Sequence, residues 1–396
     1  MRKKTDELIN YIRAMRLESR KPIRSREKLM VGVLTTPRKG RAYPLPAGKD
    51  SRLKQEMTEM ARTHGIFMFF FYAEGFEMNT DTVTGHCFVR SKGKSGTWIT
   101  AVFSRPQIVY NRLSYRKDEA QKEVQQLLAY LQTHPGIKLF NPRFLDKWEV
   151  YKSLAGNSRT QEMTPETHLF NRNNLGLMLQ MYPELFIKPI DNSVGKGIII
   201  VRRKADARGY EYKSACSDRD WLRCRLAQDL YASLKRSLDP GRKYLIQRGL
   251  QLVQIDGRVF DLRAQVQKDG KGEWVMTGVG VRVAAPNKHV THVPNGGSRA
   301  DYYAVMKRVC GGSVQRLRTV EDQLRHICET VPSVLEKSLE MNLGILSMDI
   351  GLEQNGELQI IEVNSKPASF DEDHIRRRHL EYLNQYLLYL SKSQFG

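Results

Sequence analysis

Near the C-terminus, "LSMDIGLEQNGELQIIEVNSKP" sets Asn355-Gly356 between two alternating runs, and that dipeptide is the strongest short-range signal for a two-residue β-hairpin turn. Such a turn dictates register. Gln354 then faces Glu357, Asp349 stands opposite Glu362, and Ser347 stands opposite Asn364. Period-two alternation sorts the faces. Met348, Ile350, Leu352, Ile361 and Val363 seek the core, while Ser347, Asp349, Glu362 and Asn364 share the other side. Directly opposed residues carry Cβ atoms roughly 4.5–5.5 Å apart. Two carboxylates at about 5 Å, in an effective dielectric of about 20, repel by on the order of 3 kcal/mol. Positive charge between them is therefore expected. A hard divalent cation such as Mg²⁺ supplies it through oxygen ligands. The alternatives are a nearby base such as Lys366, or one carboxyl kept protonated.

A second stretch, "FIKPIDNSVGKGIIIV" (residues 186–201), joins two strand-like runs through the seven residues 191–197. Gly195 and Gly197 permit positive φ and close approach, so successive N–H groups of such a loop can point at one anion. Lys188 on the incoming strand and Lys196 in the loop add point charges. The stretch is neither the strand-to-helix P-loop nor the dinucleotide fingerprint, because both need further glycines and a following helix. The residues by themselves also allow an ordinary glycine-containing hairpin on a basic protein.

The remaining sequence frames these two features. At 396 residues the chain can build two or three cores. Residues 1–28 carry ten Lys/Arg and four Asp/Glu with a weak helical pattern (Leu8, Ile12, Met15), which reads as a basic arm. Strand patterns at 29–36, 66–72, "HCFVR", "TWITAVF" and "PQIVYNRL" alternate with helices at 51–63 and 117–132, so residues 29–140 read as a small Rossmann-like α/β domain. Residues 141–396 read as a larger unit, with helices at 217–238 and 321–342, the latter kinked at Pro332. A capping box at Ser369–Glu372 opens the last helix. The longest apolar run, "IFMFFFY", falls far short of the roughly 20 residues of a membrane span. Five scattered cysteines, with no CxxC pair, suit free thiols in a reducing cytosol. The formal charge of +21 favours anionic partners without choosing among them. No G-x-S-x-G or H-E-x-x-H occurs, and His289-x-x-His292 falls in a strand-like run whose alternation separates the two rings.

With Lys188, the glycine loop and the ordered Asp349…Glu362-x-Asn364 set together, the chain resembles the ATP-grasp superfamily, and within it the YheC/YheD-like family of endospore coat-associated proteins. The resemblance implies an ATP-grasp fold over 141–396, with a lid subdomain at 141–246 and a metal-binding catalytic subdomain at 247–396. Carried over by position, it implies that Lys147 and Lys188 face phosphate and that Ser193, Val194, Gly195, Lys196 and Gly197 cover it. The backbone from Gln247 to Leu250 would read adenine. Asp349, Glu362 and Asn364 would hold Mg²⁺, and Arg263, Arg282 and the Asn295-Gly-Gly run would contact phosphate or acyl phosphate. Gln247 departs from the acidic hinge residue common in relatives, which leaves the ribose contact unassigned.

The implied activity is ATP- and Mg²⁺-dependent ligation of a carboxylate to an amine through an acyl phosphate. An acidic peptide is a candidate acceptor, and the implied setting is cytoplasmic, associated with the spore coat. Two other readings compete with it. One is a catalytically silent ATP-grasp protein that binds nucleotide or serves a structural role. The other is charge-driven nucleic-acid binding, for which no recognition motif is present and which should weaken steeply with salt.

Overall fold

A computed structural model of the protein describes residues 29–37, 45–46, 48–90, 96–191, 197–204, 209–217, 220–291 and 296–393. The basic arm, loop residues Ser193, Val194, Gly195 and Lys196, and His292 and Asn295 lie outside the described residues. Among the described residues three sheets follow one another in sequence.

The first contains β1 (Met30–Leu34), β2 (Phe67–Glu77), β3 (Thr82–Val89), β4 (Thr97–Ser104), β5 (Ile108–Asn111) and β6 (Lys138–Phe140), in the order β4-β3-β2-β1-β5-β6. Strands β2, β1, β5 and β6 run parallel, with β3 and β4 added antiparallel at one edge. Parallel strands covered on both faces need near-continuous apolar sequence. In β2 that need is met by alternation. Met68 and Phe70 pack toward α1 (Gly48–Thr63), and Phe69 and Phe71 pack on the opposite face. The helix expected over 117–132 is instead a short α2 (Arg116–Glu119) followed by α3 (Lys122–Thr133). The break has a cause. Glu119 is turned inward, where its carboxylate accepts the Phe144 N–H at 2.8 Å and pairs with Lys366.

After α4 (Lys147–Ala155), the second sheet contains β7 (Thr167–Leu169), β8 (Glu184–Pro189), β9 (Ile199–Arg203), β10 (Tyr210–Ser214), β11 (Leu222–Cys224) and β12 (Tyr244–Arg248), ordered β11-β10-β9-β8-β12-β7 and antiparallel throughout. Helices α5 (Arg172–Met181) and α6 (Ala227–Ser237) cover one face, where Leu175, Met178, Leu230 and Leu234 meet Leu185, Ile187, Val201 and Ile246. The helix expected from 217 starts ten residues later. Residues 222–224 form an edge strand on β10, and the apolar stripe Leu230, Leu234 serves only the helix that follows.

The third sheet contains β13 (Gln254–Ile255), β14 (Arg258–Lys268), β15 (Trp274–Val283), β16 (Ser298–Ala300), β17 (Ile345–Leu352) and β18 (Leu358–Asn364), ordered β16-β15-β14-β17-β18 with β13 beside β14. Helices α7 (Tyr302–Val309) and α8 (Val314–Ser338) pack beneath it with α4. Helix α8 begins seven residues before its expected start, capped by the Ser313 hydroxyl accepting the Arg316 N–H at 3.3 Å. Helix α9 (Asp373–Lys392) crosses between layers: Ile375 packs against Gly278 of β15, and Leu383, Tyr386 and Leu387 complete the core of the first sheet. The expected capping box does not form. Glu372 is the N-cap residue without a side-chain bond, and the Ser369 hydroxyl donates to the Phe370 carbonyl.

The β17–β18 hairpin departs from expectation twice, and the departures cancel. Glu353 N–H donates to Glu357 O at 2.8 Å and Gly356 N–H donates to Glu353 O at 2.9 Å, with Gly356 at φ +87°. The loop thus has three residues and closes on a left-handed glycine, the next most common hairpin form. Register is shifted by one: Leu352 faces Leu358 and Ile350 faces Ile360. A bulge between Asp349 and Ile350 then restores Asp349 opposite Glu362 and Ser347 opposite Asn364. The extra residue is Ile361. It leaves the core face expected for it, and Ile360 takes its place in the core.

Candidate functional site

The uncovered face of the second sheet looks onto the third sheet across a cleft lined from both sheets. Alternation explains which residues reach it. On β8, Leu185 and Ile187 enter the core, so Phe186 and Lys188 face the cleft. On β12, Ile246 is core and Gln247 faces the cleft. On β14, Phe260, Leu262 and Ala264 are core, leaving Asp261 and Arg263 on the opposite face.

Register across the third sheet lines up the charges. Arg263 of β14 pairs with Asp349 of β17, which pairs with Glu362 of β18, while Asp261 pairs with Arg282 of β15. Arg282 donates to Asp261 through Nε at 2.9 Å and Nη2 at 2.8 Å, and the same Nη2 lies 2.8 Å from Asp349 Oδ2. Thr291 donates its hydroxyl to Asp261. Burial opposes the Arg282 charge, but Asp349 and Asp261 together hold its pKa above the usual arginine value. Burial pushes the Asp261 carboxyl up, with Arg282 opposing. Arg263 Nη1 stands 3.6 Å from Asp349 Oδ1, and Lys147 Nζ stands 3.1 Å from Glu362 Oε1.

The expected repulsion between the acids is therefore offset by Arg282, Arg263 and Lys147. Lys366, the base named for that role, is instead engaged with Glu119. Among the described residues no three His, Cys, Asp or Glu side chains gather as a metal set. The donors present are the Asp349 and Glu362 carboxylates with Asn364 adjacent on β18. Their hard oxygen chemistry fits Mg²⁺, which keeps waters and phosphate oxygens as its other ligands.

Lys188 Nζ donates to Gln247 Oε1 at 2.5 Å, and Gln247 Nε2 donates to the Thr167 hydroxyl at 2.9 Å. Burial pushes the Lys188 ammonium down to about 8, with Glu362 opposing and Lys147 adding to the shift. Lys147, Lys188, Gln247 and Glu362 also share a smaller cavity on the α4 side.

Leu250 lines the cleft, but the N–H groups of Arg248 and Gly249 are donated to the Glu166 and Glu184 carbonyls, which narrows the stretch expected to read adenine. Arg248 and Glu353 form a two-pronged pair at 3.0 and 2.8 Å, and Glu353 also accepts the Gln251 N–H, stapling this linker to the β17–β18 hairpin.

Of the residues expected from sequence, Lys188, Gln247, Leu250, Arg282, Asp349 and Glu362 line the main cleft. Lys147 and Arg263 reach it through Glu362 and Asp349, and Gly197 sits at the end of the loop with φ +75°. His289 also lines the cleft, from a bend rather than the expected strand. Asp261, Thr291, Leu252 and the bulged Ile361 were not expected there. For Asp261 the signal existed, since alternation along "FDLRAQV" places it on the face of Arg263.

Over residues 136–391 the chain matches the family described as YheC/D like ATP-grasp. It is 26% identical over 339 residues to endospore coat-associated protein YheD of Bacillus subtilis (strain 168), spanning 83% of this chain and 71% of that protein. Identity to endospore coat-associated protein YheC of the same organism is 22% over 305 residues, spanning 74% and 79%. Among solved structures, D-cycloserine synthetase DcsG superposes with a TM-score of 0.50 at 15% identity, over 90% of this chain and 99% of that one. With this match covering most of its length, and the Lys188–Asp349–Glu362 cleft between two antiparallel sheets, the chain belongs to the YheC/D-like ATP-grasp family.

Proposed function

We propose that this protein is an ATP- and Mg²⁺-dependent carboxylate–amine ligase. One observation carries the reading: Lys188, the Asp349–Glu362 pair and Arg282 converge on a single cleft whose wall includes Gln247 and Leu250. Phe186, Leu250, Leu252 and Ile361 give that cleft apolar lining suited to a base. Lys147 and Lys188 suit the phosphates, with the loop 193–197 and Asn295 assigned as covering contacts. Asp349, Glu362 and Asn364 would hold Mg²⁺, which supplies positive charge across the phosphate oxygens.

In the proposed reaction a substrate carboxylate oxygen attacks the γ-phosphorus. The bond from that phosphorus to the β,γ-bridging oxygen breaks, and ADP leaves with the electron pair. An amine nitrogen then attacks the acyl carbon, inorganic phosphate departs, and the nitrogen loses a proton to give the amide. The chain contributes placement and fixed charge rather than a covalent nucleophile. Arg282, locked by Asp261, holds a guanidinium that cannot lose its proton, and Arg263 stands beside it on the neighbouring strand. The coat-associated relatives support work during sporulation, at the coat. Incubation with ATP-Mg²⁺, hydroxylamine and a panel of carboxylates should give a hydroxamate; none across a broad panel would reject the ligase.

A second reading, nucleotide binding without turnover, is favoured by the neutralisation of Asp349 and Glu362 by Arg282 and Lys147, which lets the acids persist without a cation. Thermal stabilisation by ATP-Mg²⁺ in a protein that never forms ADP would select it.

The Lys188 shift gives a pH test. Its pKa lies at about 8 in the folded protein against 10.5 ordinarily. Between those values the unfolded chain binds more protons, so the share of stability owed to this group rises with pH. Nucleotide affinity moves the other way, because the charge facing phosphate is lost. ATP-Mg²⁺ affinity measured by calorimetry should fall from about pH 7 to about pH 9 in the wild type. In Lys188→Met it should be weak and flat; an unchanged slope there would remove Lys188 from the phosphate site.

A further inference from the structure

Residues 249–253 join the second sheet to the third and carry Leu250 and Leu252 into the cleft wall. The N–H groups of Arg248 and Gly249 go to the Glu166 and Glu184 carbonyls, and the Val253 N–H goes to the Leu352 carbonyl. Between them a side chain takes over. The Gln251 N–H donates to Glu353 Oε1 at 2.9 Å. The same carboxylate accepts Arg248 Nη1 at 3.0 Å through Oε1 and Arg248 Nη2 at 2.8 Å through Oε2. Burial opposes the Glu353 charge, but the Arg248 and Gln251 bonds hold its carboxyl below the usual glutamate range. Bonds to an ionised acceptor are the strong ones, and a two-pronged arginine pair also fixes orientation. One buried carboxylate thus braces the linker on both sides of Leu250. Among the described residues no group takes the Leu250 N–H or carbonyl, which leaves that peptide for a ligand.

The bracing residue belongs to the hairpin that carries the acids. Glu353 directly follows β17 and lies four residues beyond Asp349, a span of at most about 14 Å. Linker and hairpin pair at this point: Leu252 bridges Glu353 in antiparallel fashion, and the Gln354 N–H donates to the Gln251 carbonyl. Packing there is close. A Cβ on Gly351 would stand 2.5 Å from Leu252 Cδ2 and 3.3 Å from Leu250 Cδ1, so both leucines lie over β17 where a side chain would displace them. The apolar lining suited to a base and the acids suited to a cation are therefore mounted on one strand. A ligand that touches both meets a fixed spacing.

We infer that Glu353 is a positioning residue for the nucleotide: through Arg248 and the Gln251 N–H it holds Leu250 and Leu252 at the distance from Asp349 and Glu362 that a base and its triphosphate together require. Its carboxylate is engaged with Arg248 and Gln251, so it acts through the linker and not on the ligand. This role rests on the nucleotide site of the ligase reading. It adds that affinity for the base, and not for the phosphates, depends on a carboxylate standing behind the cleft wall.

Tripolyphosphate offers the phosphates of ATP without base or ribose, so the two probes separate the linker from the phosphate site. Each is titrated with Mg²⁺ by calorimetry into the full-length protein. Glu353→Met removes both braces and should weaken ATP-Mg²⁺ by about tenfold or more, with tripolyphosphate-Mg²⁺ within about twofold of wild type. Glu353→Gln keeps an acceptor for the Gln251 N–H and should lose less. Glu353→Met also strands the Arg248 charge, which threatens the fold. Arg248→Met/Glu353→Met leaves no charge behind; it should melt near wild type and show the same selective loss of ATP. ATP affinity unchanged in the folded double variant, or ATP and tripolyphosphate weakened equally, would overturn the inference and leave the nucleotide site standing. No binding of ATP-Mg²⁺ by the wild type would remove the site itself, and the ligase reading and this role with it.

Discussion

Asparagine in place of Asp349 should leave the protein folded and lower ATP-dependent hydroxamate formation by about 100-fold or more, the scale of losing one preorganised electrostatic contact in a reaction site. The fold should tolerate the change for a specific reason. Arg282 keeps its two bonds to Asp261 at 2.9 and 2.8 Å, and Thr291 keeps its bond to the same carboxylate, so no buried cation is orphaned. The asparagine carbonyl can still accept from Arg282. What disappears is the negative charge facing Glu362 across the hairpin, and with it half of the carboxylate pair offered to a divalent cation. The variant should therefore need more Mg²⁺ for half-maximal activity as well as turning over more slowly. Its melting temperature should shift by no more than a few degrees, as expected for about 1 kcal/mol or less in a chain of this size. Ser347→Ala, which changes the same face one position along the alternation, should retain most activity. Turnover within about threefold of wild type in Asp349→Asn, at limiting Mg²⁺, would end the assignment of these acids to the reaction.

The placement of Asp349 against Glu362 was legible from sequence, but not for the reason first apparent. Asn355-Gly356 indicates a hairpin, and the hairpin is there; the loop is one residue longer than the dipeptide implies, and a bulge at Ile361 compensates. Local sequence specifies that a turn forms. The exact count of residues in it is decided by packing, since a one-residue slip would expose Ile360 and Val363, which the core needs. Ile361 was misplaced for the same reason.

Alternation was sufficient for β8, β12 and β14, where a single buried face sorts Lys188 and Gln247 to the cleft and Arg263 to the side of Asp349. It could not reveal that Arg282 would neutralise Asp349, because that pair joins strands separated by more than sixty residues of chain, brought side by side only through β14. Helix limits were least legible where a charged residue turns inward, as at Glu119, or where an edge strand borrows residues of helical character, as at 222–224.

Glu119 carries the other large expected effect, on stability. Its side chain is 9% exposed and that of Lys366 is 2% exposed, and each is the other's counter-charge. The contact joins the segment after β5 to the residues just beyond Asn364, so it fixes the end of β18 against the first sheet. Glutamine at 119 preserves shape and can still accept the Phe144 N–H, which isolates the loss of charge. Removing one partner of a buried pair costs about 3–5 kcal/mol, because the remaining charge is left without compensation.

The cost should depend on pH in a defined direction. Burial already lowers Lys366 to about 8, with Glu119 opposing, so Glu119→Gln should lower it further. The unfolded chain then binds more protons at this lysine from that lowered value up to its ordinary 10.5, and stability must rise with pH across the interval. The variant should accordingly lie well below wild type in denaturation midpoint at about pH 6 and recover part of the deficit by about pH 9. Methionine at 366 in the same background removes the stranded charge and should restore most of the midpoint at both values. A double variant as unstable as Glu119→Gln alone, with a deficit that does not change with pH, would mean that the Glu119 carboxylate does not hold the fold by compensating Lys366.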